Sequence, residues 1–311
     1  MELDEDPEDW KRFYNKTREY VVFLLLFIIL YFTSYFLILI FKKKNNGLYT
    51  GLMKEFGLPL DLKEWRLFIN SSKLILKMFL LYNGNELPSI PIAYAPHMKE
   101  TYEHLQQLLH RIKYMQYEWS VCADLKVVVL LMGLQQGFTK FCCFLCEWNS
   151  HATDLHSIRK DWPPSMCLTP GKMNVMNTPL VSPKKIILPA LRIKLGIVKQ
   201  LIKVIDTNKP AFTYLREKFP RLNEAKIKEA IFMGSQIRGI FKDTKFGNLL
   251  DNDEKQVWNV VSQVCTNFFG NIRSEYYKDL VHDMLALYQK FGCRMSLKLH
   301  FLDPHFGFLP S

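Results

Sequence analysis

The chain has 311 residues, 49% of them hydrophobic and 14% aromatic, which excludes a disordered or low-complexity protein and suffices for one large domain or two smaller ones. An excess of 41 Lys and Arg over 30 Asp and Glu gives a net charge of +11, which favours phosphate-bearing partners, either nucleic acid or an anionic membrane surface. Seven cysteines scattered over so long a chain exclude a disulfide-stapled scaffold and point to a reducing compartment where thiols are free to bind metal.

Residues 1–19 form an acidic segment containing Glu2, Asp4, Glu5, Asp6, Glu8 and Asp9. Residues 20–41, YVVFLLLFIILYFTSYFLILIF, carry no charge and are long enough as a helix to cross a bilayer core of about 30 Å, which predicts a single transmembrane span. Lys42, Lys43 and Lys44 follow it, so the positive-inside tendency places residues 42–311 in the cytosol. Lys11, Arg12, Lys16 and Arg18 on the other flank act against that orientation. If the N-terminal segment is not part of the real product, a nuclear location is expected instead. Residues 42–54 read as a basic linker.

Beyond the linker, residues 55–189 read as an α/β part. EWRLFI, LILKMFLLY and SIPIAY predict three strands, with Asn83-Gly84 as a turn and Pro88 and Pro91 pushing the third to an edge. MKETYEHLQQLLHRIKYM places Tyr102, Leu105, Leu109 and Ile112 on one face of a helix. YEWSVCA predicts a fourth strand, and Asp124 is placed to N-cap a helix over LKVVVLLMGLQQG. Residues 190–311 read as helical almost throughout, in LRIKLGIVKQLIKVID, NEAKIKEAIFMGSQIRGIFKD, DEKQVWNVVSQVCTNFF and SEYYKDLVHDMLALYQKF.

Three groups of residues can carry chemistry. Cys143 and Cys146 form a C-x2-C pair, and thiolates with imidazoles at short spacing suit tetrahedral zinc. Two sets of partners are open: the nearby His151 and His156, or the distant His300 and His305 of LHFLDPH. A third alternative leaves the cysteines as core thiols. Second, Asp124 stands at a strand end, where a carboxylate can ligate Mg²⁺ when further acids converge. Third, Lys184, Lys185, Arg192, Lys194, Lys199 and Lys203 make a basic surface able to track DNA, or simply a solvated helix face. The sequence contains no P-loop, dinucleotide fingerprint or nucleophile elbow.

RLFINSSK, SIPIAYAPHMKETYEHL, DLKVVVLLMGLQQGFTKFCCFLCEWNS, LPALRIKLGIVKQLIKVID, FPRLNEAKIKEAIFMGSQIR and GCRMSLKLHFL together resemble a family of transposon-derived proteins of animal genomes, from about Glu55 to the C-terminus. That family is similar to RNase H-fold DDE transposases and recombinases. The resemblance implies an RNase H-like mixed sheet interrupted by a large α-helical insertion, so that with the transmembrane helix read from hydropathy at 20–41 the expectation is an α+β fold behind an N-terminal membrane anchor. It also implies that Cys143, Cys146, His300 and His305 are structural zinc ligands and that Asp124 is a vestigial second acid, with Mg²⁺ used in active relatives only. Asn70 stands where relatives carry the first catalytic aspartate. The relatives' third acid follows the HFLDPHFGFLP region, and this sequence ends at Ser311 before it. Arg192 stands where relatives have His, and His151 where they often have Arg. The expectation is a truncated, catalytically inactive protein, with a domesticated DNA-binding or protein-interaction module, or a membrane-anchored cytosolic protein, as alternatives.

Overall fold

The computed structural model describes residues 57–309 together with 51, 53 and 54, except for 73, 85, 138, 157, 158, 160, 166, 167, 233 and 270–273. The fold is α+β, with an antiparallel meander in the order β3-β2-β1 and a parallel pair, β4-β5. The described residues divide into two compact units, one of those up to 99 plus 107–119 and one of 100–106 plus those from 120 onward, and each has its own logic.

The first unit is an antiparallel meander built on strict alternation. In β1 (Trp65–Ser71) every second side chain, Trp65, Leu67 and Ile69, is buried, and in β2 (Ile75–Tyr82) the same holds for Leu76, Met78 and Leu80. The period-2 pleat puts these residues on one face. The register pairs Leu67 with Leu80 and Asn70 with Lys77. In β3 (Ile90–Pro96) Pro91 and Pro96 lack the N–H of a central strand, and β3 lies at the sheet edge with a register shift at Met78/Phe79. The expected amphipathic helix forms as α1 (Tyr102–Arg111) but stops short, and Lys113 and Glu118 take left-handed backbone on either side of a single turn, α2 (Tyr114–Tyr117). The fourth strand is therefore shorter than the sequence predicts.

The second unit begins with that strand, β4 (Ser120–Ala123), paired in parallel with the two-residue β5 (Ile186–Ile187). Between them α3 (Leu125–Leu131) starts at Asp124, whose Oδ1 accepts from the Val127 N–H at 3.0 Å. It ends well before the apolar run does, because Gly133 turns the chain with φ +66° against Asn177: a Cβ at Gly133 would stand 2.0 Å from that residue's carbonyl oxygen. The helices that follow are α4 (Ala190–Val204), α5 (Pro210–Lys218), α6 (Glu224–Lys228), α7 (Gly234–Phe241), α8 (Thr244–Leu249), α9 (Asn252–Asn267), α10 (Tyr277–Lys290) and α11 (Leu297–His300). α4 is the hub, contacting α7, α9 and α11, and it buries Ile193, Ile197, Val198, Leu201 and Ile202. The Tyr288 hydroxyl on α10 donates to the Ile197 carbonyl at 2.9 Å.

One expectation is corrected. Among the described residues no helix is long and apolar enough to cross a membrane. The longest, α9, has 16 residues and carries Asp253, Glu254 and Lys255, and at about 1.5 Å per residue it falls short of a bilayer core. The predicted span at 20–41 and the acidic segment at 1–19 lie outside the described residues, so the single-pass membrane localisation with residues 42–311 in the cytosol is not carried forward.

Candidate metal centre

Cys143 and Cys146 lie in the loop that follows α3, after the turn at Gly133. Short backbone bridges shape this loop: Phe141 pairs with Asn149 and Cys146 with Pro164, the Glu147 N–H donates to the Pro163 carbonyl and the Ser165 N–H to that of Leu145. The Leu145 N–H also points at Cys143 Sγ, 3.4 Å away. The histidines come from the far end of the chain. His300 is the last residue of α11, whose start is capped by Ser296, and His305 precedes a short 3-10 turn at Phe306–Phe308. That turn is tied back by the Leu188 N–H donating to the Phe308 carbonyl.

The two pairs converge. Cys146 Sγ lies 3.1 Å from His300 Nε2 and 3.4 Å from His305 Nε2, and Cys143 Sγ lies 3.7 Å from His305 Nε2. All four ligand atoms fall within 4.8 Å of one another. Bonds of about 2.3 Å to sulfur and about 2.0 Å to nitrogen put neighbouring ligand atoms of a tetrahedral zinc about 3.3–3.8 Å apart, close to the separations found here. Cys143, Cys146 and His300 are 4%, 3% and 5% exposed, so the donors face each other and not water.

The electrostatics fit a cation. A hydrogen bond from Cys143, followed by contacts with His300 and His305, pulls the Cys146 thiol down to about 3 despite its burial. Burial first, and then Cys146, pushes the Cys143 thiol up. Burial also lowers His300 below the ordinary imidazole value, against the pull of Cys146. A thiolate and a neutral imidazole are the forms that ligate a soft divalent ion. The cluster can hold a metal such as zinc.

The nearby histidines are used differently. His156 stacks on Trp148 at 4.9 Å, and its Nε2 lies 2.8 Å from the Asn149 carbonyl. The His151 side chain is exposed. Neither belongs to the four-residue cluster. What sequence reasoning missed is Trp148, two residues beyond Cys146. Its ring stacks on His300 at 4.7 Å and 9°, and on His156 at 4.9 Å. The only hint in the sequence was an aromatic residue beside a cysteine pair, which is equally a core signal.

Asn70 and Asp124, which the family resemblance compares with catalytic acids, lie on β1 and at the start of α3. Asn70 is an exposed residue of β1 opposite Lys77. Asp124 is committed to the N-terminus of α3. Of the basic residues, Lys194 donates to the Cys265 carbonyl at 3.0 Å and Lys203 pairs with Glu229, so these two serve the fold.

Residues 29–181 match a family described as a domain of unknown function, DUF8703, and residues 190–270 match a second such domain, DUF8704. No curated protein matches the chain.

Proposed function

We propose that this chain is a transposase-derived protein of the RNase H-fold DDE kind that has lost DNA-cutting chemistry and uses zinc structurally. The observation that carries the reading is the convergence of Cys143 and Cys146 on His300 and His305. Four protein ligands complete a tetrahedral shell and leave no position for water or substrate, which is the pattern of a structural zinc site. Such a site joins a loop to a segment 154 residues away, and the metal's binding energy becomes folding energy because the unfolded chain holds no such site.

Loss of cleavage rests on Asn70 and Asp124. Two-metal phosphodiester cleavage needs carboxylates that hold cations against attacking and leaving oxygens. Asn70 offers a neutral carbonyl at the position matched to the first acid, and Asp124 uses one of its two carboxylate oxygens to cap α3, so a lone acid would be left to hold the cations. Support for the RNase H-like reading comes from the antiparallel meander, the helix between the parallel strands β4 and β5, and the helical segment after Ala190.

Elemental analysis of the full chain purified from zinc-containing medium tests the reading. We expect one zinc per chain, lost on chelation and in Cys143→Ser together with the cooperative melting transition. A metal-free protein that melts unchanged would overturn the structural role. Mg²⁺-dependent cutting of duplex DNA that disappears in Asp124→Ala would overturn the loss of catalysis.

A further inference from the structure

The metal cluster is sealed on its imidazole side, while its thiolate side backs onto a cavity. Trp148 lies flat on His300 at 4.7 Å, and the rings of Phe301 and Phe308 stand 6.2 and 6.4 Å from that of His305. Phe144 packs against both phenylalanines, so apolar rings screen the histidines. The cavity measures about 190 Å³ and has Cys143 and Cys146 in its wall; that is more than ten times the roughly 10–15 Å³ that admits one water. Among the described residues neither histidine lines it. Lys172 and Met173, both exposed, are also in its wall, so it reaches the surface.

Ser165, Thr169 and Asn174 make part of the lining polar, which suits a small hydrogen-bonding molecule, and what the cavity offers such a molecule is sulfur. The two sulfurs lie within 4.8 Å of each other, at the C-x2-C spacing of dithiol–disulfide couples. The adjacent Cys142 does not line the cavity, and burial pushes its thiol up to about 11, which keeps it protonated and unreactive at neutral pH. We infer that Cys143 and Cys146 are an oxidation site for hydrogen peroxide, which enters by this cavity and converts the zinc-bound dithiolate into a disulfide. The inference rests on the structural-zinc reading and goes beyond it. One thiolate attacks a peroxide oxygen, the O–O bond breaks, hydroxide leaves and a sulfenic acid forms. The other thiolate displaces hydroxide from that sulfur, and the S–S bond closes. Two electrons pass from the sulfurs to the peroxide, two solvent protons turn the hydroxides into water, and zinc leaves hydrated because a disulfide sulfur is no longer a thiolate ligand. The loop then loses its tie to His300 and His305, so oxidation unfastens the C-terminal segment, and reductant with zinc refastens it. Disulfides that form in a reducing compartment are of this transient, redox-sensing kind.

The full chain, first assayed for zinc, is treated with hydrogen peroxide while a chromophoric chelator follows zinc release and mass spectrometry after alkylation maps the cysteines. We expect one zinc released per chain together with a Cys143–Cys146 disulfide, and recovery of metal and melting transition after dithiothreitol and zinc. A chain that arrives without zinc would remove the structural-zinc reading and this inference with it. A chain that keeps its zinc through peroxide treatment, or loses it with a bridge elsewhere or only as irreversible sulfinic acid, would overturn the oxidation site and leave the zinc reading standing. Cys142→Ser should hold zinc and release it like the wild type; resistance to peroxide in that variant would move the reaction to Cys142 and refute the assignment. Entry by the cavity is read from Thr169→Trp, which fills part of it and leaves the four ligands in place. This variant should keep its zinc and slow the release about fivefold or more, since oxidation follows access, and an unchanged rate would refute the route. Should it not fold, cumene hydroperoxide, whose bulk hinders entry, should release wild-type zinc more slowly than hydrogen peroxide does when both rates are referred to a free thiol. Equal relative rates would refute the route as well.

Discussion

Trp148 holds two imidazoles at once, with His300 on one contact and His156 on the other. It is 2% exposed, so its removal leaves a cavity beside a ligand. Trp148→Ala should therefore cost about 3–5 kcal/mol and weaken zinc retention, while Trp148→Phe keeps a stacking ring and should recover most of both. Competition with a chromophoric chelator, read beside denaturant melts, checks this. Asp124 permits a sharper separation of roles. An N-cap accepts Asn nearly as well as Asp, whereas removal of the cap costs about 1 kcal/mol. If capping is its duty, Asp124→Asn should melt like the wild type and Asp124→Ala should fall by about 1 kcal/mol. Equal destabilisation of the two would mean the charge itself matters.

At the scale of elements, Asp243 shows how a short helix is held. α8 is a six-residue helix starting just after it. Its carboxylate accepts from the Lys245 and Phe246 N–H groups, takes the Tyr214 hydroxyl at 2.7 Å and pairs with Lys218 of α5. The Lys218 contact first, then Tyr214, holds the Asp243 carboxyl down to about 2 from its ordinary 3.8. Because the folded value lies below the unfolded one, the stabilisation is present above about pH 4 and is lost as pH falls through about 2. With Asp243 and Lys218 side chains 11% and 26% exposed, solvent screens part of the ion pair. Asp243→Ala should cost about 1–2 kcal/mol at neutral pH, and its melting gap from the wild type should narrow towards pH 2. A gap constant with pH would leave only the neutral part of the cap. α5 and α8 are also elements that the hydrophobic period did not announce. α5 mixes buried Ala211, Phe212 and Leu215 with polar neighbours over nine residues, too short for periodicity to separate from a loop. The single run read across residues 223–243 breaks into α6 and α7, with left-handed backbone at Ala230.

At the scale of the whole molecule, local chemistry was legible and long-range pairing was not. Alternating apolar residues marked β1 and β2, prolines marked β3 as an edge, and an acid before an apolar run marked the start of α3, because each of these signals acts within a few residues. The C-x2-C pair and the two histidines flanking LDP announced two half-sites by type and spacing. Spacing alone left His151 and His156 as competing partners, since all these imidazoles carry the same donor chemistry. Only the tertiary structure decided among them, by bringing α11 and the loop after α3 to one place while Trp148 and the Asn149 carbonyl engaged His156. The basic stripe divided in the same way. The sequence counted the charges on α4, but only packing showed that Lys194 and Lys203 are spent within the fold and that Gly196 admits Lys298 beside Arg192 and Lys199. The physical reason is range: propensity, capping and charge are properties of neighbouring residues, whereas ligation and charge clustering depend on distances between atoms that the chain separates by a hundred residues or more.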